Sequence, residues 1–236
     1  AKDKSITSGV NPEFETGFIN EKDGMVSKFK MSSDIYYSDY PQPVGLLYGM
    51  HPNDKDPKRH DLYYVWLSGD YTNGNVSTVV LFKVEGQDFN YATRKQYSAN
   101  GLLGYSATPL ATVGHTTLGA YSGREHFGGF PHKTPLTVGK TVSNLGDSAM
   151  KTTVLAYKQV SKIQGWLNLG LDVDNNKVAI SLNGQNILNY VDNNNPYTSG
   201  YMGIFQYSHI NPVFKNMNIT TQTTKSFLEV LTSPNW

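Results

Sequence analysis

Apolar residues along the chain recur at every second position in short runs, and hardly anywhere at the three-to-four spacing of a helix. Gly, Pro, Asn and Asp punctuate the runs. The pattern predicts strands over 25–31, 44–50, 62–68, 76–84, 116–121, 151–158, 165–172, 177–183, 186–190, 201–206 and 213–219. In 177–183, Val178, Ile180 and Leu182 alternate with smaller or polar residues, so one face is buried and the other wet. Asn183-Gly184 then supplies two residues that tolerate positive φ, as a two-residue hairpin turn requires, and Asn186-Ile187-Leu188 returns the chain. Asp174-Asn175-Asn176 makes a second tight connection back to 165–173, giving a three-strand meander. The segments 51–61 and 122–134 resist assignment and are expected as long loops, a common place for function.

No linker or repeat divides the 236 residues, which favours one β domain over 1–236 with a real core. A net charge of +1, from 20 Lys+Arg against 19 Asp+Glu, without a basic run, disfavours nucleic acid and anionic membranes as partners. No apolar stretch reaches the roughly 20 residues of a membrane span. The absence of cysteine excludes disulfides, thiolate zinc sites and a cysteine nucleophile. Sixteen tyrosines and only 17% charged residues point to a polar, uncharged surface. The Ala start fits a removed signal peptide or a trimmed boundary, and the sequons at Asn75 and Asn218 permit secretion, so an extracellular monomer is expected.

Four segments follow one another in order: Trp166-Leu167-Asn168-Leu169-Gly170-Leu171-Asp172, Val178 to Gln185 with its Leu-Asn-Gly turn, Gly200-Tyr201-Met202-Gly203-Ile204-Phe205, and Phe214-Lys215-Asn216-Met217-Asn218-Ile219. Together they resemble the C-terminal half of concanavalin A-like (laminin-G-like) jelly rolls. The resemblance covers about the last third of the chain and implies an all-β, two-sheet antiparallel jelly-roll sandwich with a glycan as partner. It speaks to fold more than to chemistry. The superfamily includes lectins, carbohydrate-binding modules, glycoside hydrolases and polysaccharide lyases. The laminarinase-type E-x-D-x-x-E strand is missing here, and so are the R-x-E-x-R and Q-I-H signatures of one alginate-lyase group.

The polar residues in and near the predicted loops suit β-elimination on a uronate polymer, as in the glucuronan and alginate lyases that the chain resembles in size. That reaction needs a cation or amide to neutralise the uronate carboxylate, and a Tyr or His to move the C5 proton. Arg94 and Gln96 alternate onto one strand face as a possible carboxylate clamp, with Arg124 as another cation. Tyr207 with His60 or His126 would move the proton. Lys58, Arg59, His132 and His209 are expected to bind substrate, with Tyr64 and Trp66 stacking on sugar rings if their row lines a concave cleft. Each of these residues has a plainer reading, as a solvated loop charge, an exposed edge strand at Arg94 and Gln96, a core side chain, or a partly buried Tyr207 next to a surface His209. Using the same aromatics and amides without chemistry would make a carbohydrate-binding module, lectin or adhesin. A glycoside hydrolase would need two facing carboxylates, and of the six glutamates only Glu125 lies in a site-like segment. No cofactor is required. The oxygen-rich stretches at Asp172–Asn176, with Asp172 and Asp174 as ligands, and at Asp192–Asn195 would suit a structural calcium, or simply an Asx-rich turn.

Overall fold

The computed structural model describes residues 6–7, 15–37, 44–70, 75–97, 102–107, 138–143, 149–207 and 213–222. Among these residues there are fourteen strands and no helix, and hence no helix able to cross a membrane. The strands are β1 (Ile6–Thr7), β2 (Glu15–Asn20), β3 (Lys28–Tyr37), β4 (Val44–Pro52), β5 (Arg59–Asp70), β6 (Asn75–Tyr97) and β7 (Leu102–Ala107). They continue as β8 (Thr141–Ser143), β9 (Lys151–Ile163), β10 (Gly165–Asp174), β11 (Lys177–Leu182), β12 (Gln185–Val191), β13 (Tyr201–Tyr207) and β14 (Val213–Thr221).

They form two antiparallel sheets, one of six strands in the order β1-β14-β3-β10-β11-β12 and one of eight in the order β5-β4-β13-β2-β7-β6-β9-β8. This is the predicted jelly-roll sandwich. The meander is β10, β11 and β12, and its second turn has Asn183 at φ 51° and Gly184 at φ 77°, both in the left-handed region that a type I′ turn demands. The long strand β6 pairs with β5 and β9 along its first part and with β7 beyond Phe89, so the hydrogen-bonded path of the larger sheet returns on itself.

Alternation places the core. Leu167, Leu169 and Leu171 of β10 meet Val44 and Leu46 of β4 and Val65 and Leu67 of β5 between the sheets. The larger sheet buries its other face too, where Leu62, Tyr64 and Trp66 of β5 join Phe82 and Phe205 in a second apolar cluster. The smaller sheet turns polar residues outward from β3 and β10.

Several boundaries differ from the expected ones. The strand expected over 25–31 begins at Lys28 and runs on to Tyr37, because Ser32-Ser33-Asp34 extends the ladder despite its polarity, with the Ser33 hydroxyl donating to the Lys215 carbonyl. The strands β2 and β7 lack the long β-branched runs that announce a strand. The expected 51–61 loop is a β4–β5 hairpin whose connection, 53–58, is closed by the Asn53 N–H donating to the Arg59 carbonyl. Positions 116–121 and 122–134 lie outside the described residues.

Candidate glycan-binding surface

Strand alternation assembles a polar surface on the outer face of the six-stranded sheet. The residues of β3 and β10 that face away from the core oppose one another in register as Trp166 with Tyr36, Asn168 with Asp34, Gly170 with Ser32, Asp172 with Lys30 and Asp174 with Lys28. At the middle of this ladder the row continues sideways through Asn218 of β14 on one flank, and Ser181 of β11 and Asn186 of β12 on the other. Five strands at about 4.8 Å spacing make this row roughly 19 Å long. Its floor is low because Ser32, Gly170 and Ser181 are small, and the result is an open groove of about 400 Å³.

The groove has free hydrogen-bonding groups. Ser32, Ser181 and Asn218 make no side-chain hydrogen bond to another described residue, and Asn186 Nδ2 donates to Asn189 Oδ1 at 2.9 Å. Beside the groove, Asp34 is fixed by two amides, with Asn168 Nδ2 donating to Oδ1 and Asn216 Nδ2 to Oδ2, each at 2.7 Å. Asn216 reaches this position from a bulge in β14 where its φ is 51°. Further along the same strands, four residues or about 14 Å from Gly170, stand two exposed aromatics. Trp166 is 44% and Tyr36 40% exposed, their rings 5.3 Å apart and tilted by 60°. Lys215 Nζ lies 3.6 Å from the centroid of the Trp166 ring. Hydroxyls and amides beside two exposed aromatic rings match the two sides of a sugar, its hydroxyl rim and its apolar C–H face.

The residues expected from sequence fall elsewhere. Tyr64 and Trp66 are buried, 1% and 5% exposed, in the second apolar cluster, with Tyr64 edge-on to Phe205 and Trp66 edge-on to Phe82. They pack protein rather than form an open platform. The run Lys58-Arg59-His60 does not act as one basic patch, because β5 begins at Arg59 and alternates its side chains. Lys58 is exposed, Arg59 donates to the Gly86 carbonyl at 2.8 Å and sits 3.6 Å from Asp56, and His60 is buried. Burial first, and the neighbouring His51 second, bring the His60 imidazole down to about 4. The next residue, Asp61, accepts from Asn53 Nδ2 at 2.7 Å and the Gly86 N–H at 2.8 Å, pinning the hairpin to β6.

Of Arg94, Gln96 and Tyr207 the backbone is described. Arg94 falls within the register shift of β6 between Asn90 and Lys95, and Gln96 pairs with Leu103 in the interior of the sheet. Tyr207 ends β13, whereas His60 opposes Pro52 beyond the other end of that strand, where Tyr201 pairs with Met50. Six residues of strand, about 20 Å, separate Tyr207 from Tyr201, so Tyr207 and His60 form no proton-transfer couple. Arg124, His126, His132 and His209 lie outside the described residues.

In both oxygen-rich stretches the carboxylates have lysine partners. Asp172 and Asp174 sit on the exposed face of β10, where Lys30 and Lys28 pair with them at 2.8 and 3.1 Å, and a metal would have to displace both ammonium groups. At the second stretch the oxygens do converge on a cation, and it is Lys83. Its buried ammonium donates to Asp192 Oδ2 at 2.8 Å and to the Asn194 and Asn195 carbonyls at 2.6 Å each. The Tyr63 hydroxyl adds a 2.6 Å bond to the same carboxylate and accepts the Tyr197 N–H at 3.0 Å. Burial works to raise the Asp192 pKa, but the bonds from Lys83, Tyr63 and the Asn194 N–H outweigh it and hold the carboxyl below its ordinary value. Burial drives the phenols of Tyr63, Tyr48 and Tyr197 upward, so all three stay protonated. Among the described residues no three His, Asp or Glu side chains cluster as metal ligands.

The sequence reading did not single out the groove. Its signal was the wet row Trp166, Asn168, Gly170, Asp172 opposite the apolar Leu167, Leu169, Leu171, which places a tryptophan on the solvent side.

No family matches the sequence, and no curated protein matches it. Among solved structures the chain is similar to the carbohydrate binding module CBM66 from Bacillus subtilis, at 14% identity over 93% of this chain and 96% of that one, with a TM-score of 0.40. It is also similar to a GH16 of the Bacteroides ovatus mixed linkage glucan PUL, at 8% identity over 93% of this chain and 85% of that one, with a TM-score of 0.43. Scores of this size carry no chemistry from those proteins to this one.

Proposed function

We propose that this chain is a carbohydrate-active protein that binds a glycan on the outer face of the six-stranded sheet, with the groove at Ser32, Gly170 and Ser181 and the Trp166–Tyr36 pair as two parts of one site. The observation that carries the reading is their continuity. Polar side chains line a groove of about 400 Å³, and the bordering Asp34–Asn168 pair leads directly to two rings at least 40% exposed. Large aromatics left in water at an alternating strand position are costly to solubility and common at binding surfaces.

Calorimetric titration of the chain with a panel of oligosaccharides tests this directly. Binding to at least one glycan is expected, with Trp166→Ala weakening it by about tenfold or more. Equal binding by the variant would remove the aromatic pair from the site. The same mixtures, followed in the ultraviolet, report on elimination. A rise in absorbance from an unsaturated uronate would assign a lyase activity to the chain and direct attention to Arg94, Gln96, Arg124, His126 and Tyr207. New reducing ends without that rise would assign a hydrolase.

A further inference from the structure

On the outer faces of β3, β10, β11 and β14 stand four lysines, Lys28, Lys30, Lys177 and Lys215, and three aspartates, Asp34, Asp172 and Asp174, with Lys177 opposite Asp174 at the end of β10 remote from Trp166. Lys28 and Lys30 are ion-paired with Asp174 and Asp172. The third pair is looser, since Lys215 opposes Asp34 in register while both Asp34 oxygens are taken by Asn168 and Asn216. The Lys215 ammonium rests instead on the indole of Trp166 at 3.6 Å. A carboxylate-bearing sugar placed on Trp166 would meet that ammonium and the Asp34 carboxylate together, with no net attraction. An uncharged sugar ring meets no such conflict, but it needs the indole face that Lys215 covers.

On the basis of the glycan-binding reading above, we propose that the ligand is an uncharged oligosaccharide of several units, and that Lys215 sets its affinity by competing with the sugar for the face of Trp166. The length follows from the distance of about 14 Å between the aromatic pair and the groove floor, which one sugar cannot bridge. The competition is mild because a cation over an exposed ring is weakly held, and the flexible lysine stem swings clear without moving the strand.

The test is a titration of the wild-type chain, Lys215→Ala and Trp166→Ala with gluco-, xylo- and mannohexaose, and with hexamers of glucuronate, galacturonate and mannuronate, each at low and high salt. The expected result is binding of at least one neutral hexamer with little salt dependence, tightened about two- to five-fold in Lys215→Ala and weakened in Trp166→Ala. Preference for a uronate hexamer, with salt-sensitive affinity that falls in Lys215→Ala, would overturn the neutral assignment while leaving glycan binding intact. Unchanged affinity for the neutral hexamer in Lys215→Ala would overturn the role of Lys215. Failure of every hexamer to bind the wild-type chain would overturn the glycan-binding reading, and this inference with it. Circular dichroism of both variants checks that the fold is kept, as expected for an exposed and a half-buried position on the outer face of the sheet.

Discussion

At the scale of single residues, the groove exists because position 170 is glycine. A Cβ there would stand 2.5 Å from Ser181 Oγ, so any larger residue both turns that hydroxyl and rises into the floor. Gly170→Val is expected to weaken glycan binding by about tenfold or more, while stability changes by less than about 1 kcal/mol, since the strand preference of valine offsets the disturbed neighbour. Titration and thermal unfolding of the same variant separate the two effects. Retained affinity would move the ligand off the groove floor. Trp166 stands in the segment that carries the jelly-roll resemblance, and alternation with the buried Leu167 and Leu169 already sets it on the solvent side, 44% exposed.

At the scale of elements, the strand meander and its Asn183-Gly184 turn were legible because period-two alternation and left-handed turn residues are local signals. The connection between β12 and β13 was not. It crosses from the smaller sheet to the larger one, and it is tied down by Lys83, 109 residues from Asp192 and embedded in the apolar run of β6. The Asp192–Asn195 stretch announced a convergence of oxygens, but no local pattern identified an ammonium as the cation. This network predicts a large stability effect. Lys83→Met leaves the buried Asp192 carboxylate with Tyr63 and backbone alone, and is expected to cost about 3–5 kcal/mol in urea unfolding, as removal of one partner from a buried ion pair does. The double variant with Asp192→Asn is expected to recover part of the loss, because the uncompensated charge goes with it. A Lys83→Met cost below about 1 kcal/mol, within the range of exposed ion pairs, would mean that the pair does not hold the connection.

At the scale of the whole molecule, the larger sheet is buried on both faces along β4, β5 and the first part of β6, and this explains why alternation alone marks no wet side there. Tyr63, Val65 and Leu67 face the sheet partner, Leu62, Tyr64 and Trp66 face the second cluster, and neither row of β5 carries the polar residues that mark solvent. The same burial makes the fold sensitive to acid through His60. Its imidazole ionises near 6.5 in the unfolded chain and near 4 in the folded one, so between those values the unfolded state binds a proton that the native state refuses. Stability therefore rises with pH across this window and falls on acidification through it, the slope being set by the difference in bound protons. His51 disfavours the charged ring, while Asp61 and Asp88 favour it too weakly to offset burial. Below about pH 4, Asp192 adds a second loss in the same direction, since its lowered pKa gives stability that disappears as its carboxylate is protonated. Melting temperatures are thus expected to drop between pH 7 and pH 5, and His60→Gln, which cannot take up the proton, is expected to flatten that drop while leaving the steeper fall below pH 4. An unchanged pH 7 to pH 5 difference in His60→Gln would show that another group carries the acid sensitivity.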